Sequence, residues 1–153
     1  MANTQSMCTS FMQELMTGTH NFTTGTGDTF KAALYLTSAT YNAATTAYSA
    51  TGEVSGTGYT AGGVAVTNGT SPLSTNTSAT AGTAYWTPSA SITYTSVTLS
   101  TAFDAVLIYN SSKSDKAVSV HTFGSQTVTA GTFTLTMPSN TTDRKSTRLN
   151  SSH

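Results

Sequence analysis

Hydrophobic residues recur along this chain with two different periods. Between residues 6 and 17, Met7, Cys8, Phe11, Met12, Leu15 and Met16 fall three or four positions apart, with Thr9, Ser10, Gln13 and Glu14 opposite them. That spacing predicts an amphipathic helix of about three turns. Gly18 follows as its stop. The run has neither a charged leading region nor a small-residue cleavage site, so a signal peptide is not expected.

After Asn21 the period becomes two. Phe30, Ala32, Leu34 and Leu36 alternate with Lys31, Ala33 and Tyr35, the mark of a half-buried strand. Val64 and Val66 form a short strand after Gly62-Gly63. Ile92 and Tyr94 alternate until the phase slips at Ser96, giving Val97 and Leu99. The slip predicts a bulge or a break between two strands. Residues 102–109 are almost continuously apolar, as in a central strand covered on both faces. Val118 and Val120 mark another strand over residues 116–123. Phe133, Leu135 and Met137 mark a last one, which Pro138 ends. Gly25 to Asp28, Asn110 to Asp115 and Ala130-Gly131 read as hairpin connections. Residues 37–63 and 68–82 are low in complexity and read as long loops or edge strands. Threonine suits an extended backbone through its branched Cβ. Threonine outside and Phe, Val and Leu inside predict an antiparallel β-sandwich or jelly roll of seven or eight strands, with one N-terminal helix. Crossover helices for a parallel sheet are lacking.

Composition sharpens this picture. Thr (35) and Ser (21) fill over a third of the 153 positions, while charged residues make up only 8%; a usual globular chain carries about 25%. Seven Tyr, six Phe and one Trp argue against disorder. The formal net charge is zero, which leaves no basic surplus for a nucleic-acid backbone. No apolar stretch of about 18 residues is present to span a membrane. The single Cys8 allows no intrachain disulfide.

The last eleven residues, DRKSTRLNSSH (143–153), resemble the in-frame translation of a sequencing-library adapter. They are set aside from fold reasoning as a non-native, disordered tail, and residues 1–142 are read as one domain. Without the tail the body holds three positive and five negative charges.

Chemistry-bearing residues are few. The glycine-rich run from Gly52 to Gly63 has no lysine and no following helix, so it reads as a turn-rich loop and not a phosphate cradle. Within it, Glu53 is expected to hydrogen-bond loop amides. A zinc site usually takes three or four Cys, His or carboxylate ligands, and His20 and His121 are the only histidines before the tail. Cys8, on the helix face with the methionines, reads as a small buried apolar residue. A G-x-S-x-G elbow is absent, so no catalytic residue, cofactor or metal is expected. Asp28, Glu53, Asp104 and Asp115 match no calcium-loop spacing. Asp104 sits in the most apolar run and needs a partner if buried. The aromatic pair Tyr85-Trp86 either anchors its loop to the core or sits in a subunit contact.

Three groups of segments carry a family likeness: CTSFMQELMTGTHNF (8–22) with DTFKAALY (28–35); TGEVSGTGYTAGG (51–63); and FDAVLIYNSSKSDKAVSVHTFG (103–124) with TVTAGTFTLTMP (127–138). Through them the chain resembles a family of small proteins encoded in the structural gene clusters of tailed bacteriophages. The resemblance covers most of residues 1–142 and implies a virion component without catalytic residues. Members of that family end in a short apolar strand that this sequence lacks, in keeping with the adapter-like tail after Thr142. The expected function is therefore a capsid decoration or cement protein that binds repeated virion subunits, as a homo-oligomer in the virion, with no nucleic-acid or membrane partner. Phe11, Met12, Leu15, Met16, Tyr85 and Trp86 are the candidate interface residues. The alternative is a tail or tail-fibre module that binds a host-surface glycan or receptor, with Tyr48 and Tyr59, joined by Tyr85 and Trp86, as stacking platforms in the long loops. A helix packed only on its own sandwich is the plainer account of the methionine-rich face.

Overall fold

The structure, a computed structural model, describes residues 2–137. In order along the chain come β1 (Ser6–Met7), α1 (Thr9–Met16), β2 (Phe30–Leu36), β3 (Val64–Ala65), β4 (Leu73–Ser74), β5 (Ala84–Tyr85), β6 (Ile92–Asn110) and β7 (Lys116–Leu135). The fold is mainly β, antiparallel, with one short N-terminal helix, as the hydrophobic pattern predicts. Five strands form one sheet in the order β1-β7-β6-β2-β3, and β4 pairs with β5 in a separate ribbon. The adapter-like segment and the stop at Pro138 lie outside the described residues.

The helix begins three residues later than its periodicity predicts. Ser6 and Met7 pair with Val120 and Ser119 of β7, and the Cys8 N–H donates to the Val118 carbonyl at 3.0 Å. The sheet takes these residues because β7 offers ladder hydrogen bonds that an isolated first turn lacks. Cys8 is extended and flanks the helix without a side-chain cap. Gly18, at φ 69°, stops the helix as expected.

The largest departure from the sequence reading concerns the long hairpin. Residues 92–99 and 102–109 are one continuous strand, β6, and residues 116–123 and 132–135 belong to another, β7. The slip at Ser96 is a bulge, with φ 53°, lying between the Tyr94–Phe133 and Val97–Gly131 pairs. Ala130-Gly131 is no hairpin connection: Ala130, at φ 43°, kinks β7 at the same level. Both strands bend together there and run on, which bulges permit. The connection at residues 110–115 is the true β6–β7 turn, with Ser114 and Asp115 at φ 53° and 56°. Gly25 to Asp28 forms a turn between α1 and β2, closed by the Asp28 N–H on the Asn21 carbonyl at 2.7 Å.

Two long segments supply the layers above and below the sheet. Residues 37–63 cross the face that carries Tyr35 and Tyr109. Tyr41 packs on Tyr35 with centroids 3.7 Å apart, and Tyr48 stacks on Tyr109 at 4.8 Å. The opposite face carries Phe30, which Phe22 (4.4 Å) and Trp86 (5.6 Å) cover. The sheet centre is therefore buried on both sides, and residues 103 and 105–110 of β6 are fully enclosed. Sandwich character comes from these draped segments and not from a second sheet of equal size. Close approach demands glycine at Gly63: its φ is +75°, and a Cβ there would run into the Ala32 carbonyl.

Candidate interaction surface

Helix α1 divides along its length as an amphipathic helix should, but its apolar stripe is wider than the surface that covers it. Phe11 is buried at 4% exposure and meets Phe22 edge-on at 5.9 Å and His20 at 4.9 Å. Met12, Leu15 and Met16 stay 38%, 41% and 83% exposed. Among the described residues, the only other large hydrophobic side chain so exposed is Leu73. Phe11 is thus a core residue and leaves the candidate interface. The remaining three form a contiguous apolar face, because positions 12, 15 and 16 are helical neighbours.

This face is rigidly mounted. Glu14, on the polar side of α1, accepts from Lys116 Nζ at 2.6 Å and from His20 Nε2 at 2.7 Å. The Asn110 amide nitrogen donates to His20 Nδ1 at 2.9 Å and to Asp28 Oδ2 at 2.8 Å. Its oxygen accepts from the Ser112 N–H at 3.1 Å, which fixes the amide orientation. Nδ1 is then the acceptor, and the ring proton on Nε2 faces Glu14. Helix, α1–β2 connection and β6–β7 turn are joined through this one cluster. Sequence reasoning missed it, because its members lie far apart in the chain and obey no spacing rule. The one signal was Glu14 itself, the sole charge on a helix otherwise polar only through Thr, Ser and Gln.

Partial burial pushes the Glu14 carboxyl up, but the hydrogen bonds from Lys116 and His20 and the charge of Lys116 outweigh it and hold the pKa below the ordinary carboxylate range. For Asp28, burial acts upward too, and the Asn21 N–H, the Asn110 amide and Lys113 bring the net shift down. Depressed carboxylates contribute stability that is present above their unfolded pKa and lost as the pH falls through the folded one. Replacing Glu14 with Gln is therefore expected to shrink the loss of stability on acidification. Urea unfolding of both proteins, from neutral pH down into the range where carboxylates protonate, checks this. Equal losses in the two would show that Glu14 carries none of the acid sensitivity.

The other candidate residues are tied into the structure. Glu53 accepts from Tyr48 and Tyr59 hydroxyls, each at 2.7 Å, and from the Gly62 N–H at 2.8 Å. Tyr59 also accepts from the Leu34 N–H at 3.0 Å, and its ring stacks on Tyr94 at 5.9 Å. Burial first, then the Glu53 contact, pushes both hydroxyls up from their ordinary pKa. Tyr48 and Tyr59 each have one ring face and the hydroxyl engaged within the fold. Trp86 donates from Nε1 to Asn68 Oδ1 at 2.9 Å and packs on Phe22 at 4.7 Å, so it anchors the loop, the first of its two readings. Tyr85 lies half-exposed on β5, paired with Leu73. Asp104 receives the partner its setting requires, the Asn3 amide at 2.6 Å.

Cys8 is fully buried, and desolvation, with Glu14 adding to it, pushes its thiol up to about 12. His121 meets Ser119 Oγ at 3.0 Å, and burial lowers its pKa. Among the described residues, neither histidine hydrogen-bonds to both a serine and a carboxylate. Among the described residues no three His, Cys, Asp or Glu side chains converge in metal-binding geometry, and no helix is long and apolar enough to cross a membrane. Comparison with protein-family models, with curated proteins and with solved structures finds no match to this chain.

Proposed function

We propose that this protein is a non-enzymatic virion component of a tailed bacteriophage, a capsid decoration or cement protein that docks on repeated virion subunits through α1. The observation that carries the reading is the apolar face of Met12, Leu15 and Met16, left uncovered on a helix that the Glu14–His20–Asn110 cluster holds in place. Flexible methionines adapt to a partner surface, and the rigid mount spares the cost of ordering the helix backbone on docking. The hydroxyl-rich faces around it cost little to desolvate compared with Lys/Glu surfaces, and interface cores are depleted in charge. The family resemblance of residues 8–22, 28–35, 51–63, 103–124 and 127–138 points to the same class. A glycan-binding tail module fits less well, since Tyr48 and Tyr59 spend their hydroxyls on Glu53.

Electron microscopy of purified virions tests the reading: density for the chain is expected on the capsid exterior, with α1 against the shell. Replacing Met12, Leu15 and Met16 together with Ser is expected to leave the melting temperature within a few degrees, because exposed substitutions cost roughly 0.5 kcal/mol or less each. The same change is expected to abolish incorporation into the particle. Incorporation at the unaltered level would remove α1 as the docking element, and absence of the chain from virions would remove the function.

A further inference from the structure

The two edges of the five-stranded sheet differ. One ends in β3, two residues long, next to Gly62-Gly63, and such a short edge offers little to pair with. The other is β7. Strand β1 covers it only at Ser119 and Val120. From His121 to Leu135, no strand among the described residues pairs with its outer side. An edge strand points every second N–H and C=O away from its neighbour. Fifteen residues of such backbone are a template for another strand.

Two features of this stretch favour a particular occupant. HTFGSQTVTAGTFTL contains no Lys, Arg, Asp, Glu or Pro, the residues with which exposed edges are usually blunted. The kink at Ala130 and the register irregularity before Gln126 bend the edge, but no charge opposes a copy of the same sequence. Beside the edge runs a row of half-covered apolar side chains: Phe123, Val128, Phe133 and Leu135. Phe123 and Phe133 already touch each other and Phe103, with centroids 5.1 to 5.9 Å apart. A strand laid along β7 would complete the burial of that row while taking up the outward hydrogen-bonding groups.

We propose that the outer edge of β7 pairs antiparallel with the same edge of a second copy of this chain, joining two five-stranded sheets into one across a two-fold axis near Val128. Such an interface is self-complementary: residues equidistant from the axis face each other. Thr127 of one copy then lies opposite Thr129 of the other, a pairing threonines support across strands. The dimer is independent of any station in a virion, so its failure would leave the docking role of α1 standing, and the reverse.

Sedimentation of the full chain over a range of concentrations is expected to show a monomer–dimer equilibrium. Thr127→Lys with Thr129→Lys, both exposed positions, is expected to weaken dimerisation at least about tenfold, because like charges meet across the axis. Mixing that variant with Thr127→Glu/Thr129→Glu is expected to restore association as a heterodimer. Hydrogen exchange of the unaltered protein gives a second reading that needs no substitution: protection of amides in residues 121–135 should rise with concentration. A chain that stays monomeric at high micromolar concentration, a dimer indifferent to the lysine pair, or exchange in β7 independent of concentration would each overturn the proposal.

Discussion

Replacing Phe30 with Ala is expected to lower the unfolding free energy by about 3–5 kcal/mol, the cost of truncating an enclosed aromatic and leaving a cavity. The magnitude follows from its setting. Phe30 is 0% exposed, lies nearly parallel to Phe22 at 4.4 Å and is closed off by Trp86 at 5.6 Å. Phe22 in turn meets Phe11, so one ring carries packing from the sheet to helix α1. The cavity cannot collapse easily, because Trp86 is tethered through Asn68, whose side-chain nitrogen donates to the Phe22 carbonyl at 3.1 Å. Thermal unfolding should show a drop on the order of 10 °C for a domain of this size. Phe30→Leu, which keeps most of the volume, should lose roughly half as much or less. A Phe30→Ala protein that melts within a degree or two of the parent would mean that the aromatic chain is not the element that ties α1 to the sheet.

Replacing Glu53 with Ala is expected to cost roughly 2–4 kcal/mol and to loosen the whole of residues 37–63. This segment has few large apolar side chains, and its order depends on hydrogen bonds that converge on one carboxylate. The variant strands the Tyr48 and Tyr59 hydroxyls and the Gly62 N–H. Tyr109, whose hydroxyl donates to the Gly62 carbonyl at 2.8 Å, loses a fixed partner in consequence. Limited proteolysis should then cut the variant between residues 50 and 63 faster than the parent. Tyr59→Phe should cost more than Tyr48→Phe, because the Tyr59 oxygen also accepts the Leu34 N–H. A triple variant should lose less than the sum of the three single losses, as groups in one network share the same energy. Unchanged proteolysis of Glu53→Ala would place the order of this loop in its tyrosine stacking instead.

How far these features could be read from the chain differs residue by residue. The apolar positions of β2 and of residues 102–109 needed only their alternation and continuity, since burial of one or both faces writes itself into the period. Helix α1 was visible for the same reason, except at its start, where pairing of Ser6 and Met7 with β7 is a long-range event. Ser96 showed its phase slip, yet whether a slip breaks a strand or only bulges it depends on what the partner does at that level. Ala130-Gly131 was misread for the same cause: a local turn signal served a kink in a continuous strand. The His20–Asn110 contact joins residues 90 positions apart, and Glu14 meets Lys116 across 102; no local pattern encodes such distances.

Hydrophobic periodicity, together with abundant threonine and scarce charge, by itself determined a mainly β body with one N-terminal amphipathic helix and a Met-rich stripe. Those properties depend on neighbours within one turn or one strand. Only the tertiary structure decided which part of that stripe is covered, Phe11 inward with Met12, Leu15 and Met16 outward. It alone decided that Glu53 closes its loop, and that fifteen residues of β7 find no outer strand among the described residues. Coverage is a property of what is packed against a surface, and packing partners are chosen by contacts that close over long stretches of chain, once the backbone has folded.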